Sequence, residues 1–337
     1  KTTTSTMTAH LLHQSKVGCD AFLGGISKNY GTNLLLSETS EYVVIEADEF
    51  DRSFHWLTPY ATIITATDAD HLDIYGTEEA YLESFSHYTS LIQPSGFLVM
   101  RHGINLQPRL QEGVKLYTYS TEAGDFHAEN IRIGGGEIFF DFVSPLGNIL
   151  DIQLGVPVAI NIENGIAAMA LAQLSGVTND EIKAGMASFQ GIERRFDFKI
   201  KTDKVVYLSD YAHHPEEIKQ SILSVRALYQ EKKLTAVFQP HLYTRTRDFY
   251  QEFADSLSLL DEVILTDIYP ARELPIEGVS SRLIYDHLSH NVEKTLCKKE
   301  EVLELLKNKN IEVLITLGAG DIENYASQIC EILNRQC

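Results

Sequence analysis

The chain is poor in cysteine, proline and positive charge, and it has no long apolar run. Its four cysteines among 337 residues, Cys19, Cys297, Cys330 and Cys337, show neither C-x-x-C pairing nor the spacing of a disulfide framework. That usage points to a reducing cytoplasm and excludes a small stapled secreted domain. No apolar stretch reaches the roughly 18 residues that a bilayer-spanning helix needs, so no membrane insertion is expected. Cations are scarce: 28 Lys and Arg stand against 47 Asp and Glu, a formal charge of −19. This excludes a general nucleic-acid binder, which needs a basic face for the phosphate backbone. A small anionic ligand remains possible, because a few placed Arg and Lys residues suffice for it. What is present is ordinary for a globular protein, with 44% apolar and 22% charged residues. The length suits two domains, each able to bury its own core. The chain opens on Lys1-Thr2-Thr3-Thr4-Ser5 with neither an initiator Met nor a signal peptide, as expected of a chain missing its beginning.

Residues 2–15 read as a helix and 17–23 as a strand. Glu41–Ile45 and Ala61–Thr65 read as β-rich runs, each with acidic residues after it. A helix is expected over 78–92 and a strand over Gly96–Met100. The stretch 114–154, with turns at Gly134-Gly135-Gly136 and Pro145-Leu146-Gly147, reads as an antiparallel patch. Helices follow at 161–175 and 178–189, the second opened by the capping sequence Thr178-Asn179-Asp180-Glu181. After Gly191 the pattern resets to β-loop-α units, with strands at Val205–Ser209, Thr235–Phe238, Glu262–Thr266 and Glu312–Leu317. Such repetition implies an α/β fold with a parallel, doubly wound sheet. The boundary is placed between 192 and 193, giving domains 1–192 and 193–337.

Lys1-Thr2-Thr3 matches the end of a phosphate-binding loop, G-x-x-x-x-G-K-[ST], in which the Lys bridges phosphates and the hydroxyl meets Mg²⁺ at a helix N-terminus. Taken alone it is a weak signal that better suits a polar helix start. The run Tyr42-Val43-Val44-Ile45-Glu46-Ala47-Asp48 favours the nucleotide reading, since an apolar strand ending in a carboxylate is the second part of such a site. His71, within Asp70-His71-Leu72-Asp73 past the next strand, suits either a metal ligand or a surface hydrogen bond. In the second domain, Asp210-Tyr211-Ala212-His213-His214-Pro215 follows one strand and Gln239-Pro240-His241-Leu242-Tyr243-Thr244-Arg245 the next. Both belong at the carboxyl edge of a parallel sheet, where open α/β folds bind ligands. Pro215 would open a helix, so a His capping that helix explains one of the two histidines. Glu193-Arg194-Arg195-Phe196 adds cations at the junction. Leu317-Gly318-Ala319-Gly320-Asp321 lacks the full dinucleotide fingerprint and reads as a tight turn beside the same cleft.

These motifs, with Asn161-x-x-Asn164, stand in the order seen in the Mur ligases, and the chain resembles that family over nearly its whole length. The resemblance implies a central P-loop ATPase-type domain and a Rossmann-like carboxy-terminal domain, with an amino-terminal UDP-binding domain outside this sequence. The glycines of the P-loop would precede Lys1, and a chain starting at Lys1 is expected not to catalyse ligation. It also implies cytoplasmic, ATP- and Mg²⁺-dependent amide formation in peptidoglycan precursor synthesis, and so in cell-wall biogenesis, cell shape and division. ATP would phosphorylate the lactyl carboxylate of UDP-N-acetylmuramate, and the amine of L-alanine would displace phosphate. Lys1, Glu46, His71, His213 and Arg245 would be catalytic, with Thr2, Glu46 and His71 on metal. Lys1, Thr2, Thr3, Asn161, Asn164, Arg195 and Asp210 would hold ATP. Arg194, Tyr211, His213, His214, His241 and Arg245 would face the substrates. The sequence departs from the family at Ile160, where His is common, and at Leu242, where Arg is common. Several siblings carry a carbamoylated lysine that supports a second Mg²⁺, but no lysine lies between Lys28 and Lys115 here. Alternative readings are the sibling ligase that attaches a recycled tripeptide, or a noncatalytic Mur-like nucleotide-binding partner protein.

Overall fold

The computed structural model describes residues 1–68 and 72–336, with the main chain alone at Leu72 and Asp73. It divides into two compact units, one of residues 1–133 and 137–192, the other of Gly134–Gly136 and the chain from Glu193 onward.

The first unit opens with α1 (Thr2–His13), followed by β1 (Asp20–Ser27), β2 (Thr32–Leu35), β3 (Val43–Ile45) and β4 (Ala61–Ile64). Then come α2 (Leu72–Tyr75), α3 (Glu78–Thr89), β5 (Phe97–Arg101), β6 (Lys115–Tyr119), β7 (His127–Gly134), β8 (Glu137–Val143), β9 (Ile149–Gln153), α4 (Ile160–Leu174) and α5 (Asn179–Ser188). α1 is rich in Thr, a weak helix former. Its hydroxyls bond back into the helix, Thr6 to the Thr2 carbonyl and Thr8 to the Thr4 carbonyl, both at 2.8 Å. Met7, Leu11 and Leu12 sink into the core beside α4, whose Ile166–Ala170 run is fully buried. α5 starts where its capping box directs, with Thr178 and Glu181 bonded reciprocally.

Among the described residues of this unit three small sheets form, ordered β2-β1-β3, β4-β5-β6 and β7-β8-β9. β1 and β3 run parallel, as do β4, β5 and β6, while β8 and β9 are antiparallel. The antiparallel patch expected over 114–154 is therefore corrected at its start: residues 115–119 extend a parallel sheet. β6 is a partly exposed edge strand, Lys115-Leu116-Tyr117-Thr118-Tyr119, and lacks the continuous apolar run by which a buried parallel strand is recognised. β2 was not anticipated.

The second unit holds β10 (Asp197–Lys201), β11 (Val206–Asp210), α6 (Pro215–Leu228), β12 (Leu234–Phe238), α7 (Tyr243–Leu257), β13 (Glu262–Leu265), α8 (Arg282–His287), β14 (Glu293–Leu296), α9 (Val302–Lys307), β15 (Val313–Leu317) and α10 (Ala326–Leu333). Its sheet runs β10-β11-β15-β12-β13-β14, parallel throughout except for β10, which pairs antiparallel with β11. β12 and β15 are buried at every position, as central strands covered by helices on both faces must be. α6 lays Ile218, Ile222, Val225 and Leu228 along one buried face. The carboxyl ends of β11, β12 and β15 lead into the loops that carry the second unit's motifs.

Candidate functional site

In the first unit, the N-terminus of α1 meets the end of β3. Thr2 donates its hydroxyl to Glu46 Oε1 at 3.0 Å, and Ser5 donates to Oε2 at 3.3 Å. The main-chain N–H of Gly24 on β1 also donates to Oε2, at 3.1 Å. The carboxylate is thus gripped by three residues from two elements, α1 and β1. Gly24 leaves the room in which the carboxylate sits: a Cβ would stand 2.8 Å from Glu46 Cδ and 2.9 Å from Oε1, and nearer still to Oε2. Lys1 pairs with Glu49 and lies 3.7 Å from Asp48, so an anionic phosphate would compete with these carboxylates for the ammonium group. Neither Ser5 nor Gly24 was marked by the sequence, since neither has a motif of its own.

Asn161 and Asn164, on the first turns of α4, join the same helix start. Thr4 donates to Asn164 Oδ1 at 3.0 Å, and Asn164 Nδ2 donates to Asn161 Oδ1 at 3.0 Å. Between them on α4, Glu163 pairs with Arg101 of β5 at 2.9 Å. Ile160 is exposed. A cavity of ≈ 750 Å³ begins beside Lys1, Ser5, Glu46 and Glu49. It continues along β3 and β4 toward Trp56, the chain's single tryptophan. Thr3 is half-buried. His71 lies outside the described residues. Among the described residues no group of three or more His, Cys, Asp or Glu side chains gathers as a metal cage. The fit to a cation therefore rests on Thr2 and Glu46, a hydroxyl and a carboxylate. Such hard oxygen donors suit Mg²⁺, which keeps several waters.

In the second unit, His213, His241 and Arg245 come together. The two imidazoles lie 6.0 Å apart between centroids. Arg245 Nη1 donates to His241 Nδ1 at 3.4 Å. His241 stacks on Tyr269 at 5.7 Å. Burial, then the Arg245 guanidinium and the neighbouring His213 imidazole, hold the His241 ring below its ordinary pKa, while Glu273 pulls it upward. His213 Nδ1 donates to the Tyr211 carbonyl at 3.0 Å, which leaves Nε2 of the neutral ring as the acceptor. Tyr211 lies under the Arg194 guanidinium at 4.6 Å, and Arg194 Nη2 donates to the Gly320 carbonyl at 3.4 Å.

Three expected residues sit differently. His214 is turned away from this group: it occupies the cap position of α6 and packs on Phe249 at 5.2 Å. It is the histidine that the helix start explains. Asp210 has its oxygens engaged by the chain itself, accepting from Ser221 Oγ and from the Phe196 N–H at 3.4 Å. Burial raises its pKa, and those donors oppose the rise. Arg195 is exposed. The Gly318–Asp321 turn packs on Gln239, whose Nε2 donates to Asp321 Oδ1 at 2.8 Å. Gly318, at φ +136°, could not carry a Cβ, which would lie 2.6 Å from the Gln239 carbonyl.

An enzyme class with a phosphate-type helix start in one unit and a cationic rim in a doubly wound second unit has a matching family. The sequence pattern of the Mur ligase middle domain covers residues 1–172, and that of the Mur ligase glutamate ligase domain covers 194–322. The chain belongs to the Mur ligase family. It is 80% identical, over 336 residues, to a protein of Phocaeicola vulgatus named UDP-N-acetylmuramate–L-alanine ligase, covering all of this chain and 73% of that protein. A Parabacteroides distasonis protein of the same name is 63% identical over 337 residues, covering 100% of this chain and 73% of its own length. Among solved structures, a UDP-N-acetylmuramate–alanine ligase from Thermotoga maritima superposes with a TM-score of 0.83 at 25% identity, covering 100% of this chain and 74% of its own.

Proposed function

We propose that this chain acts in joining L-alanine to UDP-N-acetylmuramate at the expense of ATP, a step of peptidoglycan precursor synthesis in the cytoplasm. The observation that carries this reading is the 80% identity along the whole chain to a protein named for that reaction. The family is ATP-dependent. The same name on relatives at 80% and 63% identity favours L-alanine over a recycled tripeptide and a ligase over a noncatalytic binder.

The chemistry follows from what the two sets of side chains offer. Lys1 and the unsatisfied N–H groups of the first turn of α1 present positive charge to the transferring phosphoryl group of ATP. Thr2 and Glu46 would hold Mg²⁺, with His71 a further candidate ligand, and the cation would neutralise charge on the phosphates. Asn161 and Asn164 would face adenine beside Thr4. Once the lactyl carboxylate is an acyl phosphate, the amine of L-alanine attacks its carbonyl carbon and inorganic phosphate leaves. The attacking amine must be neutral, and His213 Nε2 is the acceptor suited to take the proton that the ammonium form loses. Arg245 offers a fork of donors to a carboxylate.

Glu46→Gln in the protein at its natural length tests the site. The amide keeps the shape but loses the charge, so alanine-dependent phosphate release should vanish while circular dichroism shows the fold intact. Turnover at the unaltered rate in that variant refutes the assignment.

A further inference from the structure

Glu273 is a residue that no motif marks, and it ties the loop after β13 to the segment after β12 that presents His241 and Arg245. Tyr269 N–H donates to the Pro240 carbonyl at 2.8 Å, and Leu242 N–H donates to the Tyr269 carbonyl at 3.0 Å. Four residues beyond Tyr269, Glu273 accepts from the Thr244 N–H through Oε2 at 3.0 Å and from the Thr244 hydroxyl through Oε1. Thr244 is in the first turn of α7, where N–H groups have no intrahelical partner. The residue before that helix, Leu242, offers no side-chain cap. The cap therefore comes from the loop after β13.

The turn needs such support. Leu242 stands at φ +74°, ψ +136°, a region that glycine favours and that costs a branched residue of order 1–3 kcal/mol. It is flanked by His241, and Arg245 follows Thr244 directly. Arg245 contacts His241 Nδ1, and a guanidinium can only donate, so the neutral His241 ring carries its hydrogen on Nε2. The place of Arg245 thus decides which face of His241 donates, and the start of α7 decides the place of Arg245.

We propose that Glu273 is a positioning residue for the amino-acid substrate: by bridging the two loops through Thr244 it sets Arg245 and His241 for the substrate carboxylate. The inference rests on the reading given under Proposed function. The Thr244 bonds hold the Glu273 carboxyl below its ordinary pKa, so it remains an anion at the positive end of α7.

The test is steady-state phosphate release by the protein at its natural length, varying L-alanine and ATP separately, with the His241 ring followed by NMR titration. Glu273→Ala should raise KM for L-alanine roughly three- to thirtyfold, the range a lost helix cap spans. It should leave KM for ATP unchanged and move the His241 titration downward. Glu273→Gln keeps a carbonyl to accept the Thr244 N–H and should recover most of the alanine affinity. Unchanged alanine KM in Glu273→Ala overturns the proposal. So does a Gln variant as weak as the Ala variant, which would make the carboxylate a direct substrate contact. Equal rises in both KM values with a lowered melting temperature also overturn it, since that is a general structural role. An unaltered protein that releases no alanine-dependent phosphate refutes the functional reading instead, and the NMR arm still reports on the bridge.

Discussion

Replacing Gly24 by alanine separates the fold from the site more sharply than replacing Glu46 itself. Gly24 lies on β1 with ordinary φ and an exposed surface, so an alanine fits the backbone. What it does not fit is the carboxylate: the new methyl would stand 2.8 Å from Glu46 Cδ and 2.9 Å from Oε1. The carboxylate is the movable end of a flexible side chain, so it yields and the strand does not. Moving it breaks the bond from the Gly24 N–H at 3.1 Å and loosens those from Thr2 at 3.0 Å and Ser5 at 3.3 Å. One hydrogen bond to a charged group contributes about 1.5–3 kcal/mol, and each 1.4 kcal/mol is about tenfold in an equilibrium or rate. Gly24→Ala should therefore lower kcat/KM for ATP by roughly ten- to a hundredfold, with circular dichroism unchanged and the melting temperature lowered by no more than the roughly 3–12 °C that 1.5–3 kcal/mol represents. The assay is phosphate release across an Mg²⁺ titration, in which the variant should also need more cation. Unaltered kcat/KM at every Mg²⁺ concentration would show that the grip on Glu46 has no part in catalysis.

Arg245→Ala should weaken use of L-alanine or the muramoyl substrate by about tenfold or more, from a charged hydrogen bond of roughly 1.5–3 kcal/mol, and leave nucleotide binding alone; a loss confined to ATP affinity in calorimetry refutes that role. His10, bonded at 2.9 Å to both Tyr30 and Ser188, has its pKa lowered to about 4 by burial first and His13 in part, against a backbone bond that raises it. The folded protein thus refuses a proton that the unfolded chain takes near 6.5. Stability should be full above that value and fall by up to about 3 kcal/mol as pH drops toward 4. Denaturant titrations of wild type and His10→Gln should diverge over that window, and parallel curves would refute the linkage. Turnover should be indifferent to bicarbonate in carbon-dioxide-depleted buffer at fixed pH, because α3 carries Glu83, paired with Arg109 at 2.6 Å, and His87, against His55 at 4.7 Å, but no lysine. Reproducible rescue by bicarbonate would show that a carbamate forms after all.

How much of this was legible in the sequence depends on how far each signal had to travel. Thr2 and Glu46 could be read because each belongs to a local pattern, a helix start and an apolar strand ending in acid, and the structure brings them to 3.0 Å. The β-loop-α rhythm after Gly191 likewise announced a parallel sheet, because fully buried strands write continuous apolar runs. Edge strands write weaker ones, and the misreadings fall there: β6 was assigned to the antiparallel patch, and β10 and β14 were not anticipated.

The histidine pair shows the same limit at the scale of a side chain. His213 and His214 are adjacent and chemically equal, yet Pro215 makes the second the cap of α6 and directs its ring to Phe249, leaving the first to approach His241. The Pro was in view, but the direction of each ring depends on which neighbours pack beside it. Gly24, Ser5 and Glu273 were hidden for a further reason. Each acts through a contact set by register or by a neighbouring loop, Gly24 by β1 lying parallel to β3 and Glu273 by the His241–Tyr269 bridge. No spacing rule reaches across such pairings. The groups that touch substrate can be found by their chemistry, whereas the groups that hold them still become visible only once strand order and register are known.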